Sequence, residues 1–254
     1  MLNTILIAIS VLTWNTARMD YVHKPADNKV LQFLMAQDAD VICLQEADVY
    51  KDDKYLTLAD VKQTLGRKYP YSYLDFSIYD KRHQFGTMVW SKYPIIHKQS
   101  IRYETAGNLS NRCDIIVGKD TLRLINNHLE SYKFVSEDMN DMDRIEAKWR
   151  RALPLRNKQA QVVREEIDAS PYPVIVVGDF NSPALSYAYW HISRGLHDAW
   201  NTVHPWSWGA TCSHKGFGLR IDYILCSDPL RPTACWLPRA KGSDHKPVVA
   251  IFEW

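Results

Sequence analysis

The chain has 254 residues, of which 46% are hydrophobic and 12% aromatic, so it can bury a sizeable apolar core. Lys and Arg number 31 and Asp and Glu number 29, and the formal net charge of +2 excludes a global electrostatic attraction to nucleic acid or anionic lipid. Any attraction for a phosphate substrate therefore has to be local. The five cysteines are an odd number without zinc-like spacing, which predicts free thiols and no disulfide framework.

The apolar run at residues 5–12 predicts the first strand. It is far shorter than the roughly 20 residues that span a bilayer, and it has neither a preceding Lys or Arg nor a small-residue cleavage site after it. The sequence is compatible with more than one cellular location. We expect the cytoplasm if Met1 is the native start, and the cell envelope or export if an upstream membrane or signal segment has been removed.

Two helices are predicted in the first part of the chain. The first covers residues 27–37 with Asp27 as its N-cap, and a strand follows it. Thr57, with Asp60 three residues later, predicts the start of a second helix that ends before Gly66.

Residues 71–125 divide into short strand-like pieces separated by turn residues, which predicts antiparallel hairpins. Residues 133–150 are charged and weakly periodic, and we predict a substrate-side loop there. The remaining predicted elements are a helix at 155–167, a strand from 174, a helix at 184–193 and a last strand at 248–252.

Strands that alternate with helices, combined with hairpins, predict a mixed α/β (α+β) fold. The number of apolar strands favours two mixed β-sheets packed face to face with helices outside over a single doubly wound sheet. No repeat, low-complexity tract or linker interrupts the sequence, so we predict one domain over residues 1–254.

Six short polar islands are spread along the chain, and most follow an apolar strand. They are TWN at 13–15, LQE at 44–46, NNHLES at 126–131, GDFN at 178–181, RIDY at 220–223 and SDH at 243–245. Each island alone has a plainer explanation, such as a solvated carboxylate at a strand end. Together they indicate a site, because polar groups at the same end of several strands converge on one edge of a sheet.

Oxygen-bearing side chains in these islands predict a Mg²⁺ site. Glu46, directly after an apolar run, is the best candidate ligand, with Asp244 and the amide of Asn15 beside it. Mg²⁺ keeps several waters and needs only one or two protein carboxylates plus substrate phosphate oxygens. Mn²⁺ is the expected substitute.

The remaining islands supply candidates for catalysis. Asp179 can orient and deprotonate a water, while Asn181 donates hydrogen bonds to the phosphate. His245 can donate to a phosphoryl oxygen, and it does so more strongly if Asp222 holds its other ring nitrogen. His128 can supply a further donor.

Two groups of residues are candidates for substrate binding. Candidates for contact with a distal phosphate or the substrate backbone are Arg150, Arg151 and Arg156. Their plainer explanation is a solvated helical face with intrahelical ion pairs. Trp208, with Trp206 and Phe217, can stack a base or ring, and the alternative is that these aromatic residues close the edge of the core.

In this order and spacing, the six islands resemble the endonuclease/exonuclease/phosphatase superfamily, the deoxyribonuclease I-like metallohydrolases, from about residue 9 to 254. The resemblance implies a four-layer α/β sandwich with the site at the strand ends between the two sheets. It also implies roles for the residues named above: metal ligands Glu46, Asn15 and Asp244, water-activating Asp179, phosphate contacts Asn181 and His128, and the acid–histidine pair Asp222 and His245.

His128 followed by Leu-Glu-Ser is similar to the branch that contains tyrosyl-DNA phosphodiesterases, sphingomyelinases and deadenylases. The Tyr-Pro-Asn arrangement of apurinic endonucleases and the Trp-Cys-Asp-Arg block of inositol-phosphate phosphatases are missing from the sequence. The resemblance thus implies Mg²⁺-dependent hydrolysis of a phosphodiester or phosphomonoester, with nucleic acid among the candidate substrates. We expect a monomer without an obligate protein partner.

Two alternatives remain at this point. One is a lipid head-group phosphodiesterase of the sphingomyelinase type, and the other is a binding module that keeps the fold without the chemistry. Such a module should lack at least one metal, base or histidine position, and this sequence lacks none.

Overall fold

The computed structural model describes residues 7–132, 141–214 and 217–254. Its long strands form two six-stranded sheets, here the first and the second sheet. In spatial order, the first sheet contains β13 (Arg231–Trp236), β14 (Val248–Glu253), β1 (Ala8–Asn15), β2 (Val41–Tyr50), β4 (His83–Ser91) and β3 (Tyr71–Tyr79). β1 and β2 are parallel and the other neighbours are antiparallel, so the sheet is mixed.

The second sheet is also mixed, with one parallel pair at its centre. In spatial order, it contains β5 (Ile95–Arg102), β6 (Leu109–Val117), β7 (Asp120–His128), β8 (Val174–Asp179), β12 (Asp222–Cys226) and β9 (His197–Asp198). β7 and β8 are the parallel pair. A separate two-stranded hairpin contains β10 (Cys212–His214) and β11 (Phe217–Leu219).

The two sheets pack face to face because alternate side chains of each strand point to opposite faces. In β1, Val11 points into a buried layer that also contains Leu124 and Val177 of the second sheet. Leu12, the next residue of β1, lies on the opposite face against Leu34 of the first helix. Each sheet therefore has one face toward the other sheet and one face toward helices.

The helices cover the outer faces of the sheets. They are α1 (Lys29–Ala36), α2 (Leu58–Leu65), α3 (Met142–Asp168), α4 (Tyr187–Ser193) and α5 (Ala199–Val203), with a short 3-10 turn at Ala17–Asp20. Val30 and Val61 of α1 and α2 pack on the first sheet, and Val163 of α3 packs on the second. The predicted mixed α/β sandwich is confirmed. Within the described residues, the structure contains no helix long and apolar enough to cross a bilayer.

Helix boundaries differ from the prediction in three places. Asn28 caps α1 in place of Asp27, because its side chain accepts a hydrogen bond from the backbone of Leu31. α4 begins at Tyr187 and not at residue 184, since Ser186 is its N-cap. The third difference is the start of α3. The predicted capping box of α2, formed by Thr57 and Asp60, is confirmed.

The loop predicted over 133–150 is wrong for its second part, since α3 begins at Met142. Asp141 caps the helix by accepting from the backbone of Arg144 at 3.1 Å, and Arg150 pairs with Glu146 one turn earlier. The first buried residue of α3 is Ala152, so these first turns have no buried apolar face and their sequence has no apolar period that would indicate a helix. Residues 133–140 lie outside the described residues.

Gly178 is the position where the second sheet least tolerates a side chain. Its φ is +118°, and a Cβ atom would lie 2.1 Å from the backbone oxygen of Asn127 on the parallel neighbour β7. Gly118 also has a positive φ, +64°, but a Cβ there would meet nothing within 4 Å. A side chain at either glycine would strain the backbone, but only at Gly178 would it also clash with a neighbouring strand.

We predict that Gly178→Ala lowers the free energy of unfolding by roughly 3 kcal/mol or more, because strain and overpacking add. Gly118→Ala is the matched control and should lose only about 1–2 kcal/mol, the cost of a left-handed backbone with a side chain. Urea unfolding of both variants measures the difference. Equal losses would show that β8 can move away from β7.

Candidate active site

Three chemically active side chains of the second sheet lie side by side at one edge. β7 and β8 are parallel and end in register, so His128 is opposite Asp179. β12 runs antiparallel to β8 and begins at this same edge, which places Asp222 opposite Asp179 on its other side. Sheet pairing alone thus puts Asp179 between a histidine and a second carboxylate.

The first sheet contributes Asn15 and Glu46 at the adjoining edge. Asn15 is the last residue of β1, and Glu46 follows its partner Gln45 in the parallel strand β2. The Nδ2 atom of Asn15 donates to Glu46 Oε1 at 3.1 Å and to Asp179 Oδ2 at 2.9 Å. One buried amide therefore joins carboxylates that come from the two different sheets.

The sequence pattern predicts Glu46 at the end of its strand, but the structure places it inside β2. β2 continues to Tyr50, and the pairing with β4 shifts register between Leu44 and Ala47. Glu46 lies in this bulge with a φ of +49°. A bulge re-aims the side chain of its extra residue, and bulges are frequent next to active sites.

Asn181 also has a left-handed backbone, with a φ of +49°. Its backbone N–H donates to Asp179 Oδ1 at 2.7 Å, and its Nδ2 donates to Asp179 Oδ2 at 3.1 Å and to the backbone oxygen of Leu129 at 2.9 Å. The turn after β8 thereby folds the amide back onto the carboxylate. It also links this turn to the segment that follows His128.

Asp222 and His245 form the expected acid–histidine pair. His245 Nδ1 lies 2.8 Å from Asp222 Oδ2 and 3.1 Å from Oδ1. The backbone of His245 is fixed at both ends, because its N–H donates to Ser243 Oγ and its carbonyl accepts from Trp14 Nε1. Ligand atoms of Asp179, Asp222 and His245 all lie within 4.8 Å of one another.

Asp244 is placed differently from the other predicted metal ligands. It is exposed, and its carboxylate lies within 4.8 Å of ligand atoms of Cys212 and His245. Ser243 beside it donates to the backbone oxygen of Asn15 at 2.7 Å. Among the described residues, no contact joins Asp244 to Glu46.

Burial and neighbouring charges shift the protonation of the two acids in opposite directions. Burial first, and then the Asp222 carboxylate, raise the pKa of Asp179 to about 6. Burial acts to raise the pKa of Glu46 too, but the His128 imidazole and the Asn15 amide outweigh it and lower that pKa to about 2. Asp179 is thus the better base, and Glu46 is a permanent anion near neutral pH.

Both histidines hold their protons more tightly than an exposed imidazole. Burial opposes this, but hydrogen bonding and attraction to Glu46 raise the pKa of His128. Burial likewise opposes protonation of His245, and the charge and hydrogen bond of Asp222 raise its pKa well above the ordinary value. Both rings are therefore suited to donate to an anion.

The donor set fits a hard divalent cation. Glu46 Oε1 makes the contacts with Asn15 and, at 3.5 Å, with His128 Nε2, which leaves Oε2 available among the described residues. Asn15 Oδ1 accepts from the backbone of Ala17 at 3.0 Å and has a second lone pair for a cation. Carboxylate and amide oxygens are the ligands that Mg²⁺ prefers.

His128 supplies a second sign that a ligand belongs here. Its side chain is buried, and within the described part of the chain neither ring nitrogen makes a hydrogen bond of normal length. The long contact of Nε2 with Glu46 Oε1, at 3.5 Å, compensates the buried ring only in part, and an incoming oxygen ligand would satisfy it.

The three arginines predicted to bind substrate lie in different environments. Arg150 lies on the exposed face of α3 and pairs with Glu146, so it is not brought to the other site residues. Arg151 pairs with Glu130 Oε1 at 3.1 Å, two residues beyond His128. Arg151 therefore stays a candidate for substrate contact.

The prediction of substrate contact for Arg156 is corrected, because its side chain is fully buried. Arg156 Nε donates to the backbone oxygen of Glu130 at 2.7 Å and Nη1 donates to Ser182 Oγ at 3.0 Å. The guanidinium also lies 4.1 Å from the ring centre of Tyr132. Arg156 thus ties together the segments that follow His128 and Asn181.

Trp208 lines a surface cleft of about 470 Å³, and its Nε1 donates to the backbone oxygen of Gly218 at 3.1 Å. The cleft is lined by Ala184, Asn201, Pro205, Trp206, Ser207, Trp208 and Arg220. Trp206 is 98% exposed, which leaves its ring free to stack. The side chain of Phe217 lies outside the described part of the structure.

The sequence reasoning missed a buried polar link between the sheets just below the site. Gln45 Nε2 donates to Asn126 Oδ1 at 2.6 Å, and Asn126 Nδ2 donates to the backbone oxygen of Leu44 at 3.3 Å. Both residues were part of the recognised islands, and their position inside otherwise apolar strands was the available signal. It also missed Cys212, which nothing in the sequence connects to His245.

Several solved structures share this fold. The endonuclease/exonuclease/phosphatase of Beutenbergia cavernae DSM 12333 has a TM-score of 0.74 at 16% identity, over 96% of this chain and 71% of that one. A humanized D. rerio TDP2 with 14 mutations has a TM-score of 0.68 at 19% identity, over 96% and 98%. Sphingomyelinase C of Streptomyces griseocarneus has a TM-score of 0.66 at 18% identity, over 96% and 99%.

Identities this low show the fold alone, and no curated protein sequence matches the chain. The family assignment has a separate source. The sequence model of the "Endonuclease/Exonuclease/phosphatase family" matches residues 12–245, which include every residue of the site described above. The chain therefore belongs to the endonuclease/exonuclease/phosphatase family of hydrolases.

Proposed function

We propose that the protein is a Mg²⁺-dependent phosphodiesterase that hydrolyses its substrate by attack of a water. The observation that carries the proposal is the hydrogen-bonded chain from Glu46 through Asn15 to Asp179 and Asn181, which spans both sheets. All of these side chains come from one chain, so the proposed site does not require a second subunit.

Glu46, Asn15 and Asp244 would hold the metal, with Mn²⁺ as a substitute for Mg²⁺. The bound metal would neutralise negative charge on the phosphoryl oxygens and on the leaving group. The low pKa of Glu46, about 2, supports its assignment as the principal ligand because the carboxylate is available as an anion. The exposed carboxylate of Asp244 would have to move toward Asn15 to join this set.

Asp179 would orient the attacking water and take its proton. Its pKa of about 6 places it near the optimum for a general base at neutral pH. His128 would donate a hydrogen bond to the phosphoryl oxygens, where negative charge increases in the transition state. Asn181 would do the same by exchanging one of its two present Nδ2 hydrogen bonds, to Leu129 or to Asp179, for one to the phosphate. Asp222 holds Nδ1 of His245, so His245 would present its other ring nitrogen to the same phosphate.

The substrate class is the open element of the proposal. TDP2 and sphingomyelinase C share the fold, and the second is by its name a sphingomyelin hydrolase. The exposed rings of Trp206 and Trp208 support a substrate with a stacking group, such as a nucleotide. A lipid head-group phosphodiesterase is the second candidate, and a binding module without turnover is the third.

Hydrolysis assays with the purified full chain test the proposal directly. Substrates are single- and double-stranded DNA, RNA, a 5′-phosphotyrosyl oligonucleotide and sphingomyelin vesicles, each with Mg²⁺ and with chelator. We expect chelator-sensitive release of product from a nucleic-acid diester. Release from sphingomyelin alone would select the lipid alternative, and no turnover on any of these diesters would contradict the proposed phosphodiesterase.

We predict that Glu46→Gln weakens Mg²⁺ binding and that higher Mg²⁺ partly restores activity, because the variant loses the anionic ligand but keeps its shape. Calorimetric titration with Mg²⁺ measures the affinity. Glu165→Gln, which removes an exposed carboxylate on α3, is the matched control and should bind Mg²⁺ like the wild type. Unchanged affinity in Glu46→Gln would show that the metal is held elsewhere.

We predict that Asp179→Asn lowers kcat by about 10²- to 10⁴-fold while KM changes little, because general-base assistance is lost. Asp179 accepts hydrogen bonds at both oxygens, so the variant should also lose about 1–3 kcal/mol of stability. Kinetics are therefore measured below its melting transition. A near-normal kcat would transfer the base role to another group, with His245 the next candidate.

A further inference from the structure

Cys212 lies against the catalytic end of the fold, although it is far from His245 in sequence. The backbones of Cys212 and His245 form an isolated antiparallel bridge, and the N–H of Lys246 donates to the backbone oxygen of Thr211 at 2.6 Å. Sγ of Cys212, a carboxylate oxygen of Asp244 and a ring nitrogen of His245 all lie within 4.8 Å of one another. The other four cysteines are buried.

His245 is already held as a metal-binding histidine would be. Its Nδ1 lies 2.8 Å from Asp222 Oδ2, and the ring is about nine-tenths buried. Histidines that bind metals almost always donate their other ring N–H to a carboxylate or carbonyl, which fixes the ring and raises its basicity. Asp222 therefore prepares Nε2 of His245 as a ligand atom.

The chemistry of the three donors selects zinc over magnesium. A thiolate and an imidazole are soft or borderline ligands that suit Zn²⁺, whereas Mg²⁺ takes oxygen ligands. Zinc bonds of about 2.0–2.3 Å imply ligand-to-ligand separations of roughly 3.2–3.8 Å. The three ligand atoms lie within 4.8 Å of one another, so side-chain rotations alone would bring them to that spacing.

We propose that Cys212, Asp244 and His245 form a Zn²⁺ site whose occupation inhibits the enzyme. Zn²⁺ would displace the protons of the Cys212 thiol and of His245 Nε2, with a water completing four ligands. The inhibition rests on the proposed function, because it removes His245 from the phosphate and Asp244 from the Mg²⁺ site. The binding itself does not depend on turnover.

Cobalt spectroscopy tests the site without an activity assay. Co²⁺ is added to the full chain in excess Mg²⁺, and a thiolate-to-cobalt charge-transfer absorption is expected in the wild type. Cys212→Ser should lose this absorption, while Cys235→Ala, which removes a buried thiol of β13, should keep it. Absence of the band in the wild type, or its persistence in Cys212→Ser, would overturn the proposal.

Zinc affinity and inhibition complete the test. Competition with a chromophoric chelator should show Zn²⁺ binding at least roughly tenfold weaker in Cys212→Ser, since losing an outer partner alone costs about 10- to 100-fold. The rate of diester hydrolysis by Cys212→Ser should change little on addition of Zn²⁺, whereas the rate of the wild type should fall.

Equal inhibition of the wild type and Cys212→Ser would contradict the proposal, because Zn²⁺ would then be acting at the Glu46 site. A cobalt band that depends on Cys212 in a protein that hydrolyses no diester, with or without Zn²⁺, would support the zinc site and refute the proposed phosphodiesterase. Zinc binding at Cys212 and phosphodiesterase activity are therefore tested by separate measurements.

Discussion

The site depends on one buried amide, that of Asn15, which donates to carboxylates of both sheets. Without this donor, the half-buried carboxylate of Glu46 and the buried carboxylate of Asp179 would meet between the sheets with less compensation of their negative charge. The amide ends β1, so its position is fixed by the parallel pairing with β2. The packing of the two sheets and the geometry of the candidate catalytic groups are consequently one problem.

Two site residues hold backbone conformations that stability alone would not select. Glu46 and Asn181 both have a φ of +49°, and such conformations cost on the order of 1–3 kcal/mol for residues other than glycine. The bulge in β2 turns Glu46 toward Asn15, and the hydrogen bonds from Asn181 to Asp179 keep the turn after β8 closed. The left-handed backbone at these two positions is consistent with a site whose geometry is fixed before substrate binds.

Much of the site could be predicted from the sequence, because polar residues that follow apolar strands identify the sheet edge where Asn15, His128 and Asp179 meet. The bulge that carries Glu46 was not predictable, since a ten-residue strand containing a carboxylate resembles a strand that stops there. Arg156 looked like a substrate contact because burial cannot be read from charge. The position of Cys212 could not be predicted for another reason: it lies beside His245 because its strand pairs with the segment before β14, a contact between residues far apart in sequence.

In the proposed enzyme, a metal bound by Glu46 lies beside Asp179 and serves hydrolysis. The most direct measurement is anomalous diffraction from crystals of the full chain grown with Mn²⁺ in place of Mg²⁺. We expect an anomalous peak about 2 Å from a carboxylate oxygen of Glu46, and no peak there in Glu46→Gln crystals grown in the same way. An anomalous peak beside other residues and none beside Glu46 would show that Glu46 is not the metal ligand.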